Sequence, residues 1–100
     1  MSINETVEWF NGIYDLNKGQ NESKMTFYCG ITASTEEARK KHNVSQFLGI
    51  TKCDSQHTAL LLKSRMHEAG YDTRFCKDDT NQDSVYCYLY KKIAGVTLES

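Results

Sequence analysis

Ile3, Val7, Phe10 and Tyr14 recur at helical spacing, and Trp9, Ile13 and Leu16 widen the apolar stripe. Ser2 and Glu5 precede it as an S-x-x-E capping box. Glu5 and Glu8 sit near the positive end of the helix dipole, and Lys18 sits near the negative end. Gly19 is a natural stop, so the pattern predicts a helix over 1–19. The polar run NKGQNESK then reads as a loop.

Met25 to Thr32 reads as a strand. Ser34 and Glu37 repeat the S-x-x-E signature and predict a second helix from Thr35 to Asn43. Phe47 to Lys52 reads as a second strand. Asp54 or Ser55 caps a third helix striped by Ala59, Leu62, Met66 and Ala69, which Gly70 ends. Tyr71 to Cys76 and Val85 to Tyr90 read as a hairpin around DDTNQD. A turn centred between Asn81 and Gln82 sets Cys76 opposite Cys87. Tyr86, Tyr88 and Tyr90 then share a face with Phe75. The expected fold is α+β: three helices on one face of a small, mostly antiparallel sheet, in the order α-β-α-β-α-β-β.

Composition narrows the classes. One hundred residues fit a single domain 1–100, with a helix over 1–19, a core over 25–92 and a tail over 93–100. Apolar residues at 39% exclude a disordered chain. A formal charge of −1 gives no bulk attraction to nucleic acid or membrane, so any such contact needs a local patch. No stretch reaches the ~20 apolar residues of a membrane span. MSINETVEW lacks the basic and apolar regions of a signal peptide, so a cytoplasmic location and no membrane partner are expected. Cys29, Cys53, Cys76 and Cys87 form no C-x-x-C pair. They are expected as reduced thiols rather than metal ligands, with no metal and no cofactor.

The stretch YCGITASTEEARKKHN, residues 28–43, resembles the second motif and following helix of the GIY-YIG nucleases. Tyr28 and Gly30 match the motif, and His42 and Asn43 match the helix ending. CDSQHTALLLKSRMHEAG resembles the family's next strand and helix, so the likeness spans roughly Phe27 to Gly70. It implies a nuclease-like fold, but the family's catalytic arginine would fall on Ala38 and its metal-binding glutamate on Lys63. Arg39 comes one residue late, about 100° around the helix. Lysine cannot hold Mg²⁺, which needs carboxylate oxygen. Gly12-Ile13-Tyr14 spells the family's first motif, yet capping and stripe put it inside the first helix. The resemblance therefore implies a catalytically dead relative with no catalytic residues.

Three features bear on binding. Gly30 to Thr35 could cradle an anion, with Thr32, Ser34 and Thr35 adding hydroxyls to a helix start; the plain alternative is a cap that serves only its own helix. Arg39, Lys40, Lys41 and His42 form the basic run, although Glu36–Lys40 and Glu37–Lys41 pairs make a solvated face of it. Tyr86, Tyr88 and Tyr90, beside Lys91 and Lys92, could stack bases or simply pack under a helix. His57 and His67 have no nucleophile at readable spacing. The first reading is a non-catalytic protein that binds a phosphorylated ligand: a nucleotide, a nucleotide-derived signal or a nucleic-acid end. Its candidate residues are Tyr28, Thr32, Ser34, Thr35, Arg39, Lys63, Tyr86 and Tyr88. The second is a small accessory protein of viral type, suggested by the absence of proline, that inhibits a host enzyme or defence system through protein contacts. An active GIY-YIG nuclease is third. Oligomeric state stays open.

Overall fold

Ser2 caps the first helix as its motif predicts. The Glu5 N–H donates to Ser2 Oγ at 3.1 Å, and the Ser2 N–H donates to Glu5 Oε1 at 3.0 Å. In this computed structural model, which describes residues 2–99, that helix is α1, Ile3–Asn17, and it contains Gly12-Ile13-Tyr14. A 3-10 turn, Lys24–Thr26, leads into β1, Phe27–Thr32. The remaining elements are α2 (Thr35–Lys41), β2 (Gly49–Lys52), α3 (Gln56–Glu68) and β3 (Tyr86–Lys91), with a 3-10 turn at Lys77–Thr80 between the last two. Ser34 and Ser55 cap α2 and α3 through their hydroxyls.

The fold is α+β, with three helices and an antiparallel sheet of order β1-β3-β2. It has one strand fewer than the hydrophobic pattern predicts. Tyr71 to Cys76 is not a hairpin arm; it adds one parallel bridge, Tyr28 to Asp72, at the outer edge of β1. The polar run after it coils into the 3-10 turn because the Asp79 carboxylate bonds back to the Cys76 N–H, at 3.3 Å, and to Lys63. β3 instead sits between the other two strands, with Ile31 and Thr51 opposite Cys87. Cys76 is therefore not the partner of Cys87. The Cys29 and Cys87 thiols meet, Sγ to Sγ at 3.4 Å. Hydrogen bonding to Cys29 and burial push the Cys87 thiol well above its ordinary pKa.

The helices do not all lie on one face. Cys29, Ile31, Cys87 and Leu89 face α1 and α3 and pack with Phe10, Tyr14, Ala59, Leu62 and Met66. The alternate positions Tyr28, Tyr88 and Tyr90 face the other way and pack with Ala38 of α2, Val44 and Phe47. Three large rings side by side would be costly to leave wet, so α2 and the segment after it cover them. Phe75, expected beside these tyrosines, is instead 77% exposed.

Candidate functional site

The start of α2 is self-contained. Thr32 Oγ1 donates to the Ser34 carbonyl at 3.0 Å and accepts the Ser34 N–H at 3.1 Å. Ser34 Oγ accepts the Glu37 N–H at 3.3 Å. The hydroxyls that would greet an anion are thus engaged by the turn itself. A hollow of about 220 Å³ beside it is lined by Thr32, Ser34 and Lys41 but also by Glu37 and Asp78, whose carboxylates repel negative charge. Thr35, the first residue of α2, is half-buried.

Arg39 points elsewhere. Its guanidinium meets the Glu36 carboxylate at 2.7 Å and donates to the Val44 carbonyl at 3.2 Å. This pairing lowers the Glu36 pKa and raises that of Arg39. Tyr28 and Tyr88 are fully buried. Phe47 stacks on Tyr88 with centroids 4.4 Å apart, and burial pushes both phenols far above their ordinary pKa. Neither ring can stack on a base. Tyr86 is half-buried at the start of β3, with Lys52 Nζ 6.0 Å from its ring centroid. Lys63 is on α3, across the sheet from α2, where its ammonium lies 2.7 and 2.9 Å from the Asp79 carboxylate oxygens and 2.7 Å from the Arg74 carbonyl. The eight residues singled out in the sequence therefore occupy several separate places. Ala38, where the resemblance would put a catalytic arginine, is buried among the tyrosines.

The sequence reading missed what His42 and Asn43 do. Both bond to the segment after β3, across more than fifty residues, a separation that leaves no local signal. No protein-family model matches the chain, and neither the curated proteins nor the solved structures give a match.

The most exposed unmet chemistry lies along β2. The Cys53 N–H donates to the Val85 carbonyl at 2.7 Å, so residues 49, 51 and 53 bond inward to β3. Alternation then turns the N–H and C=O of Ile50 and Lys52 outward. Among the described residues nothing pairs with them. At the opposite edge the Cys29 N–H donates to the Asp72 carbonyl and the Asp72 N–H to the Phe27 carbonyl, and every residue of β1 is buried. Apolar side chains flank the open edge: Trp9 at 40% exposure, Leu48 at 37%, Ile50 at 42%, Ile93 at 53% and Val96 at 46%. Trp9 and Ile13 press against Gly49, where a Cβ would meet Ile13 Cδ1 at 2.7 Å. On the other side of the strand a cleft of about 440 Å³ is lined by Arg39, Val44, Leu48, Tyr90, Ile93 and Val96.

Proposed function

We propose that this chain is a non-catalytic binding protein that works by docking on another protein through the β2 edge. One observation carries the reading: an unpaired strand edge lies within a band of exposed apolar side chains. An extended segment of the partner would add a strand to β2, bonding to the outward N–H and C=O of Ile50 and Lys52. An apolar side chain of that segment would fill the adjoining cleft, where Leu48 and Tyr90 give it a surface to bury against. An accessory protein that covers a surface of its target fits this chemistry.

The test is capture from host extract with the wild type, with Leu48→Asp or Ile50→Asp, and with Glu68→Lys as an exposed control. The expected result is one stoichiometric partner, held equally by the control and at least tenfold more weakly by either β2 variant, since anchor residues of this kind contribute ~2 kcal/mol or more. Recovery that ignores both substitutions would overturn the reading. So would calorimetry in which a nucleotide binds and no protein does, which would favour the phosphorylated-ligand alternative.

No Mg²⁺- or Mn²⁺-dependent cleavage of labelled DNA or RNA is expected. A catalytic tyrosine must reach its substrate, and Tyr28 is fully buried. Cleavage that Tyr28→Phe abolishes would contradict this.

A further inference from the structure

The side chains along the open edge of β2 stand in a fixed order. Ile50 lies opposite Tyr88 and Lys52 opposite Tyr86, so both occupy the tyrosine face, and both are exposed. Gly49 and Thr51 turn to the α1 side. The cleft lined by Leu48 and Tyr90 opens on the tyrosine face, just before the strand begins. A neighbouring strand would therefore meet the apolar cleft, then Ile50, then Lys52.

Charge divides the same edge. Of the two lysines in the strands, Lys91 pairs with the Glu22 carboxylate at 2.7 Å. Lys52 makes no ion pair among the described residues, and its ammonium rests 6.0 Å from the centre of the Tyr86 ring. The cleft wall includes the cations Arg39 and Lys91 and no carboxylate.

The backbone narrows the occupant further. The edge presents both N–H and C=O groups, at Ile50 and Lys52, and a ligand must satisfy both kinds. Phosphate oxygens only accept, so a nucleic-acid backbone would leave the carbonyls unmet. A peptide strand supplies donors and acceptors at the required spacing. A second copy of this chain would do so too, but it would bring a second Lys52 to the same face of a strand only four residues long. Like charges across a sheet oppose pairing, and an edge lysine guards against it. A carboxylate in that place turns the repulsion into attraction.

Resting on the docking role given to this edge, we propose that the segment it takes is acidic. It is an extended stretch with a Glu or Asp opposite Lys52 and an apolar residue two positions away, opposite Ile50 and beside the cleft. Two such residues point to one face, ~7 Å apart, because side chains alternate along a strand. The residue between them turns to the other face, beside Thr51. Lys52 then chooses the partner: it admits an acidic strand and disfavours a second copy of its own chain.

Selection of short random peptides on the wild type, Lys52→Glu and Ile50→Asp tests the proposal. Both positions are exposed, so all three chains should fold and give the same circular dichroism. The wild type should enrich peptides with a carboxylate two positions from an apolar residue. Glu and Lys versions of one enriched peptide, differing at that position alone, should bind the wild type about threefold or more apart at low salt, the Glu version tighter. Lys52→Glu should reverse their order, and Ile50→Asp should lose both. Peptides that need Ile50 but ignore the charge at position 52 would overturn the acidic partner and leave docking on the edge standing. Binding that survives Ile50→Asp, or no enrichment at all, would overturn both. Sedimentation that finds a wild-type dimer dissolved by Ile50→Asp would assign the edge to a second copy and overturn the acidic partner.

Discussion

Asp79→Ala is expected to lower the unfolding free energy by about 3–5 kcal/mol, the usual cost of leaving one partner of a buried ion pair uncompensated. A domain of this size has ~5–15 kcal/mol in all, so the variant should be close to unfolding at 37 °C. Lys63 and Asp79 are each more than nine-tenths buried, and the pair fastens the Arg74–Asp79 loop to α3. Gln56 adds a bond to the Asp79 carbonyl at 2.6 Å. Urea unfolding of the wild type, Asp79→Ala, Asp79→Leu, Lys63→Met and the double variant Lys63→Met with Asp79→Leu measures this, and all but Asp79→Ala form a cycle. The double variant should recover most of the loss, because apolar groups of similar volume often replace such a pair at no net cost. A single-variant loss below ~1 kcal/mol would mean that the Lys63 ammonium escapes to water beside Phe75.

Gly30→Val is expected to cost ~3 kcal/mol or more, the upper end for overpacking a core. A Cβ at this position would lie 2.5 Å from Tyr88 Oη and 2.7 Å from its Cζ. The phenol cannot simply swing aside, since it is stacked on Phe47 and bonded to His42. Moving it breaks that bond as well. Thermal unfolding read beside near-ultraviolet circular dichroism should therefore register lost stability together with a changed tyrosine signal. A loss of stability with the aromatic signal unchanged would place the damage elsewhere. Gly30 thus has a packing role that needs no catalysis.

Local patterns were legible and long-range partners were not. The S-x-x-E signatures at Ser2 and Ser34 placed two helix starts because each serine hydroxyl accepts a backbone N–H three residues on. The alternation Tyr86, Tyr88, Tyr90 identified β3, but alternation names two faces without saying what covers either. The run DDTNQD has the composition of a hairpin turn. It became a 3-10 turn because Lys63, sixteen residues back, supplies the charge that Asp79 needs. The partners of the candidate residues were hidden for a related reason. Thr32, Ser34 and Arg39 are polar residues on or before a short helix, and in the fold they bond to Ser34, Glu37, Glu36 and Val44. The open edge of β2 had no signature of its own, since it depends on which strand comes to lie in the middle.

The central place of β3 also sets an order of events during synthesis. β1 and β2 never touch in the sheet; the strand that pairs with both is β3, the last of the three to leave the ribosome. Phe27 waits for Lys91, and Gly49 waits for Leu89. Until residue 86 is made, the nascent chain can form its capped helices but no strand ladder, and β1 and β2 stay without their partner strand. Such distant pairings are slow to close and leave chains prone to sticking together. A ribosome stalled before Tyr86 should therefore hold a helical, chaperone-binding chain, and folding should follow release of the strand as a single late step.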